Sequence, residues 1–483
     1  MVELRDKLLE LEKRTALLEP DAKSRQILLK HLEAYSDDFI SGLENGLSFK
    51  PDQTNNRQDL QIDGKSTHSF EDILKIYREE VDQPGLNPAS GGHLGYIPGG
   101  GIFATAVSDF IAAVSNRYAG LYFGSPGAVR LENRVIDWMK KVCFYPDSSL
   151  GNLTSGGSIA NLIAITAARD HHQILGAKVE KSVIYLSEQT HHCVHKAVRI
   201  AGLSQCILRN VPLDEQYKID TLMLRQLLED DVDNGLNPFM VVASAGTTNI
   251  GNIDPLDDIA DIAEEFNLWF HVDAAYGGFF ILLDELKPKF KGLERSDSLV
   301  IDPHKGLFLA YGLGAVLIKN QKAMLNSHHY RASYLQDASK NDQEFSPADL
   351  SPELTKHFRG LRLWIPLKLY GIDVFVDALR EKRGLCLYFL QGVRKMGFEV
   401  GPDPDLSVGI FRYVPEKGDA NEFNRELMNQ IHEDGRVFLS STIINEEIWI
   451  RVAVLCFRTH VSTIEKSFEM LEDCLDRTRK VLK

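Results

Sequence analysis

The sequence contains no run of about 18 apolar residues, the length a membrane-crossing helix needs, so no segment reads as a membrane span. Nor does positive charge dominate. Lys plus Arg number 54 against 68 for Asp plus Glu, a net charge of −14. That balance excludes a nucleic-acid phosphate-backbone footprint and leaves room only for a local basic pocket around a small anion. Cysteine is sparse: six in 483 residues, at 143, 193, 206, 386, 456 and 474, with no C-x-x-C pair. This excludes a disulfide framework and reads as reduced, mostly buried thiols in a reducing compartment. Internal repeats and low-complexity tracts are absent. Residues 1–18 mix Glu, Lys and Leu without an apolar stretch, so they are not expected to act as a secretory signal. The expectation is a cytoplasmic protein with no membrane or nucleic-acid partner, long enough to pack two or three layers around a sizeable core.

What is present falls into three stretches, with expected boundaries at 1–84, 85–378 and 379–483. The first opens with two amphipathic helices, striped by Leu4, Leu8, Leu11 and Leu18 and by Leu28, Leu32, Tyr35 and Phe39. Pro20 separates them and suits the first turn of the second. Short helices are held by what they pack on, so these must dock on the rest of the chain or on a second copy. Residues 44–68 are polar and read as an extended linker. In the middle stretch, short β-branched runs (183–186, 206–208, 240–243, 269–272, 299–301, 315–318) alternate with helical patterns (159–169, 222–228, 256–266). Such alternation predicts a mostly parallel sheet covered by helices on both faces, with ligands bound beyond the carboxyl ends of its strands. The last stretch predicts a smaller α/β unit, with helices over 385–396 and 463–480 and strands over 407–413 and 448–455.

Two strand ends carry the strongest chemical signal. One reads Trp-Phe-His-Val-Asp-Ala-Ala-Tyr from Trp269 to Tyr276, the other Ile-Asp-Pro-His-Lys-Gly from Ile301 to Gly306. A lone Asp after a strand is usually a cap or turn residue, and a lone Lys is usually solvated. Together, Asp273 and Lys305 are the minimum apparatus of a pyridoxal phosphate enzyme. Such an enzyme needs a lysine amine to condense with the cofactor's aldehyde and a carboxylate to keep its ring nitrogen protonated. A third segment, Thr154-Ser-Gly-Gly-Ser158, opens a helix and offers backbone N–H groups to a phosphate, or is simply an N-cap. It lacks the spacing of a nucleotide-binding P-loop. In a fourth, Gln189-Thr-His-His-Cys-Val-His195, one imidazole can stack on a flat ring. His191 and His195, four apart with Cys193 between, raise a metal site as the rival, but no further ligand at a convincing spacing completes it, so no metal is expected. In a fifth, Gly246-Thr-Thr248, both hydroxyls are expected to point into the same crevice, unless this is turn chemistry alone.

In this order, and with Gly95-Tyr-Ile-Pro-Gly99, Ser125-Pro126 and Arg359-Gly-Leu-Arg-Leu-Trp364, these motifs resemble the group II pyridoxal-phosphate-dependent decarboxylases over nearly the whole length. The resemblance implies an α/β chain of the aminotransferase-like fold type I, working as a homodimer with sites at the subunit interface. It implies Lys305 as the Schiff-base lysine, Asp273 on the pyridine nitrogen, and His191 and Ala275 on the two ring faces. Gly157, Ser158 and His304 are implied near the phosphate, Thr248 at the ring or its substituents, and Tyr96 and Pro98 in the substrate pocket. The implied reaction is decarboxylation of an L-amino acid, aromatic substrates first, to the amine and carbon dioxide. Its alternatives are an aldehyde-forming oxidative decarboxylase, a carbon–carbon lyase of the same fold, or a non-catalytic metal-binding or scaffold protein.

Three departures from the family pattern stand out. Asp302 replaces a frequent Asn; a carboxylate beside a phosphate is repulsive, so either Asp302 bonds to backbone instead or the phosphate relies on Ser158 and His304. Gly306 replaces a frequent Trp, which predicts looser packing. The loop that bears the family's catalytic tyrosine, here 342–349, contains none, and counting back from Phe358 puts that position at Pro347. The absence of Lys and Arg between Ser90 and Asn116 argues against an acidic side chain in the substrate. The glycines of that stretch suggest a wide pocket.

Overall fold

The computed structural model describes residues 1–52, 60–62, 64, 68–329 and 344–482. Two helices open the chain, α1 (Val2–Thr15) and α2 (Ala22–Gly42), and neither buries a residue. Pro20 stands outside α2 rather than in its first turn. Asp21 is the cap, its carboxylate accepting from Ser24 N at 2.7 Å. The stretch expected as a linker contributes β1 (Phe49–Lys50), paired antiparallel with β2 (Gly85–Leu86). Positions 53–59, 63 and 65–67 of that stretch lie outside the described residues. Between the two strands, α3 (Phe70–Tyr77) begins with a reciprocal cap between Ser69 and Asp72.

After α4 (Phe103–Ser115) and α5 (Pro126–Val142) the chain builds its main sheet. In order come β3 (Leu150–Thr154), α6 (Gly157–His171), β4 (Ser182–Leu186), α7 (His192–Ile200), β5 (Ile207–Asn210) and α8 (Thr221–Asp233). Then follow β6 (Asn237–Ser244), α9 (Leu256–Glu265), β7 (Trp269–Asp273), β8 (Ser298–Ile301), α10 (Pro303–Gly306) and β9 (Gly314–Ile318). The spatial order is β3-β9-β8-β7-β6-β4-β5. Only β9 runs against its neighbours; the other pairings are parallel. The apolar runs become strands because both faces are buried. Tyr185, Val241, Phe270 and Leu299 pack into one core, while Ile184, Met240, Trp269 and Val300 pack into the other. The period of two also puts Trp269, His271 and Asp273 on one face.

The remaining elements are α11 (Gln321–His328), α12 (Leu361–Tyr370), α13 (Asp373–Lys395), β10 (Glu399–Val400), β11 (Val408–Arg412), α14 (Ala420–Asp434), β12 (Ser440–Ile444), β13 (Glu447–Ala453) and α15 (Val461–Val481). The four strands form an antiparallel sheet in the order β10-β11-β13-β12. Helices α13, α14 and α15 close over its core of Phe389, Phe411, Leu427, Ile450 and Leu471. Asp405 ties this unit to the large sheet, accepting from Lys218 Nζ at 2.8 Å and from Ile253 N at 3.0 Å. The whole is the α/β layout expected from the sequence, with a smaller C-terminal α/β unit.

Candidate active site

A cavity of about 720 Å³ opens beyond the carboxyl ends of the parallel strands. Its large-sheet wall comes from the ends of β4, β6, β7 and β8 and the start of α6. The opposite wall is Tyr96 and Ile97 with Ser440, Ser441 and Arg451 of β12 and β13. Gly157, Ser158, His191, Thr248, Asp273, Ala275, His304, Lys305 and Tyr96 all line it. Pro98 does not; it is buried, and Ile97 takes its place.

Asp273 closes β7, with only 7% of its surface exposed. Its Oδ1 accepts from Ala275 N and its Oδ2 from Asn161 Nδ2, both at 3.1 Å. Asn161 sits on α6, over the face of β7 that carries Asp273 and His271. Because its amide nitrogen donates to Asp273 and to Gly157 O, its oxygen is left to accept from His271 Nε2 at 2.7 Å. His271 Nδ1 then accepts from Ser298 Oγ at 2.8 Å, and Ser298 Oγ accepts from Trp269 Nε1, also at 2.8 Å. Burial lowers the His271 pKa to about 4, which keeps the ring neutral as this relay requires.

Lys305 follows β8 on the short helix α10, its side chain 23% exposed towards the cavity. Its Nζ lies 3.2 Å from Asp302 Oδ2, which also accepts from Gly157 N at 3.1 Å. Asp302 is 1% exposed, and its Oδ1 has no hydrogen-bond partner. The alternative in which Asp302 turns to backbone therefore holds, with the lysine as an added partner. Burial pulls the Lys305 pKa down, but Asp302 and Asp273 outweigh it and the net shift is upward. His304 Nδ1 donates to Leu313 O at 2.6 Å, and burial holds its pKa below the ordinary value. His191 caps α7, its Nδ1 accepting from Cys193 N at 3.2 Å; burial lowers its pKa too, so a neutral imidazole faces the cavity. Burial lifts the Cys193 thiol to about 12, so it is no thiolate ligand at neutral pH. Among the described residues, no group of three or more His, Cys, Asp or Glu could hold a metal.

Several sequence readings change here. Thr247 does not share the crevice with Thr248; it is buried and its hydroxyl accepts from Asn252 N at 3.1 Å within the turn. Gly306 does not loosen the packing, because the space a Cβ would take is filled by Phe279, itself stacked on Trp138. The glycines of 91–100 do not widen the pocket. Neighbouring atoms of Arg458, Ser48, Phe438, His304 and Cys456 press against their Cα positions. The argument from missing cations also fails, because Arg451 reaches the cavity from β13. It is 4% exposed, donates to Gly95 O and Ser440 Oγ, and leaves a buried Nε without a partner. No local motif marks Arg451, Asn161 or His271, since each gains its role from a distant partner. Of the loop over 342–349, Asp342 and Gln343 lie outside the described residues. Glu344–Leu350 is docked on the large unit, with Ser346 Oγ accepting from Tyr122 N at 3.0 Å, and does not line the cavity.

The residues fit pyridoxal phosphate. They bring a cavity-facing lysine, a carboxylate locked by Asn161, a neutral imidazole and a helix start into one space. The one point of friction is the carboxylate of Asp302 on Gly157 N.

The conserved domain of pyridoxal-dependent decarboxylases matches residues 62–414. An aromatic-L-amino-acid decarboxylase of Bacillus atrophaeus is 33% identical over 376 residues, covering 76% of this chain and 77% of the relative. Tryptophan decarboxylase 2 of Oryza sativa subsp. japonica is 30% identical over 421 residues, covering 83% and 85%. The crystal structure of the Oryza sativa TDC with PLP and tryptamine superposes with a TM-score of 0.89 at 25% identity, covering 96% of this chain and 99% of that one.

Proposed function

The chain belongs to the pyridoxal-dependent decarboxylase family, with its fold type I architecture, and from that premise we propose which residues serve the reaction and which substrate they serve. It uses pyridoxal phosphate to convert an L-amino acid into its amine and carbon dioxide. When bound, the cofactor supplies an electron sink for the pair left on Cα as the carboxylate departs. Lys305 is the amine that holds the cofactor. Asp273, fixed by Asn161, keeps a proton on the pyridine nitrogen. His191 and Ala275 would hold the ring of the bound cofactor between them, with Thr248 beside it. The start of α6 with Gly157 and Ser158, together with His304, takes the phosphate. Tyr96 borders the substrate. Arg451, on the opposite wall, is assigned to the one carboxylate that an aromatic amino acid carries.

The observation that carries these assignments is the convergence of Lys305, Asp273 and His191 on one cavity whose opposite wall holds a single buried guanidinium. The aromatic substrate rests on the relatives' names and on Tyr96. The test is to supply purified enzyme and cofactor with a panel of aromatic, aliphatic and acidic L-amino acids, following amine and aldehyde by mass spectrometry. Amine from an aromatic substrate supports the reading. Turnover of acidic substrates alone overturns the aromatic assignment, and aldehyde without amine moves the chain to the oxidative branch.

A homodimer is part of the proposal. Helices α1 and α2 leave Leu4, Leu8 and Leu32 between 40% and 61% exposed, and α4 exposes Phe103 (55%) and Val114 (71%). Apolar faces of this extent are what a second copy covers. The three stretches 1–84, 85–378 and 379–483 are proposed as the domains. A cytoplasmic location is proposed from the six free cysteines; separately, no helix among the described residues is long and apolar enough to cross a membrane.

A further inference from the structure

Asp302 is a buried carboxylate with one oxygen unpartnered, so its charge needs a cation close by. The candidates are few. Lys305 Nζ is 3.2 Å from Oδ2, and His304 Nε2 is 3.8 Å away. His304 gives its Nδ1 proton to Leu313 O, and burial disfavours a second proton on its ring. The cation is therefore Lys305. Its geometry is fixed from behind as well. Gly157 N donates to the same Oδ2, and Oδ1 fills the space that a side chain at Gly314 would take, so the carboxylate lies between two backbone segments. The other titratable groups facing Lys305 are Asp273 from β7, His191 and Cys193 from the α7 side, and Tyr311 from the turn before β9. His191 is held neutral by burial. Burial likewise keeps the Cys193 thiol and the Tyr311 phenol protonated, so Asp302 and Asp273 are the charges that act on the amine.

We propose that Asp302 is a positioning residue that holds the Lys305 amine in its charged form until the cofactor arrives, so that cofactor capture is gated by loss of that proton. The inference rests on the assignment of Lys305 as the cofactor lysine. An ammonium has no lone pair to add to an aldehyde. Nζ must first shed one proton to solvent through the open cavity. Its lone pair then adds to the aldehyde carbon, the oxygen leaves as water with the two remaining amine hydrogens, and a carbon–nitrogen double bond replaces the carbon–oxygen one. Burial alone, acting on a lysine, favours the neutral amine; Asp302 and Asp273 together reverse that preference, Asp302 contributing most. The enzyme therefore loads more slowly at neutral pH than one carrying a neutral amide at this position. An ordered ammonium also keeps the nitrogen aimed into the cavity while it waits.

The experiment uses the full-length chain stripped of cofactor, as wild type and as Asp302→Asn. Asparagine is the same size and keeps an oxygen for Gly157 N. Capture of pyridoxal phosphate and of pyridoxal, which lacks the phosphate, is followed by absorbance from pH 6 to 10. Acetylation of Lys305 by an amine-reactive reagent is followed in parallel by peptide mass spectrometry. The expected result is that the variant captures both aldehydes and is acetylated at least about tenfold faster at pH 7.5, with the ratio narrowing as the pH approaches 10. That factor follows from the roughly 1–3 units by which an opposite charge at this range moves a pKa. Faster capture of the phosphate-bearing aldehyde alone would mean that Asp302 only repels the phosphate, and would overturn the proposal, as would unchanged pH profiles. If the variant does not fold, the wild type decides. A Lys305 acetylation profile displaced to higher pH than those of the exposed lysines in the same digest supports the pair, and a profile at or below theirs overturns it. Borohydride reduction and peptide mapping separate the two levels: a label on another lysine overturns the assignment of Lys305 itself.

Discussion

Asn161 holds two demanding neighbours at once, the carboxylate of Asp273 and the Nε2–H of His271. Truncating it leaves both without that partner in a buried setting, and each abandoned group costs roughly 1–3 kcal/mol. Asn161→Ala is therefore expected to lower the unfolding free energy of the cofactor-free protein by a few kcal/mol, read from urea titration, and to slow turnover because Asp273 is no longer locked. His271 makes a separate, pH-dependent contribution. Its folded pKa is depressed to about 4 from an ordinary 6.5. Between those values the unfolded chain binds a proton that the folded chain does not. Stability is full above about pH 6.5 and falls as the pH drops towards 4, at a slope approaching about 1.4 kcal/mol per pH unit. His93 and His172 are depressed in the same way, so the informative quantity is a difference. His271→Gln is expected to show a shallower loss of stability than wild type between pH 6.5 and 4.5.

At the scale of the element, β9 runs against the parallel strands on either side of it, and its first residue, Gly314, lets Asp302 and the backbone of Gly156 approach. A methyl group there meets both. Gly314→Ala is expected to cost about 1–3 kcal/mol by overpacking and to weaken cofactor binding, measured by calorimetric titration of the stripped protein. The parallel strands could be read in advance because burial on both faces forces unbroken apolar runs, as in Val183–Leu186 and Leu299–Ile301. By contrast β3 reads Leu-Gly-Asn-Leu-Thr and β12 reads Ser-Ser-Thr-Ile-Ile, compositions indistinguishable from turns until their partners are known. The site divides along the same line. Lys305 and Asp273 sit directly after such runs, where position alone suggests chemistry. Arg451 lies mid-strand, and the sequence offers no sign that β13 passes beside Gly95. The glycines of 91–100 misled for a related reason: a missing side chain marks equally an open space and a close contact.

On the scale of the molecule, an arm of two helices with no buried residue is a poor investment for a lone chain. On the proposed homodimer, deleting residues 1–45 is expected to shift sedimentation velocity from dimer to monomer, with loss of activity if the sites need both copies. An unchanged dimer would place the contact on α4 instead. The second binding of parts is internal. Asp405 receives Lys218, Lys289 and the Ile253 amide, joining the small unit to the large one.

The opposite walls of the cavity have different origins. The lysine, the carboxylate and the imidazole come from the large sheet, whereas Arg451, Ser440 and Ser441 come from the small one. Under the residue roles proposed above, mutation can therefore alter what is recognised without disturbing how it is transformed. Descendants of one ancestral gene could acquire new diets largely by changes in residues 436–460, beside Tyr96 and Ile97 on the same wall. A chimera that imports that short stretch from a relative with a different preference is the economical route to a redirected catalyst.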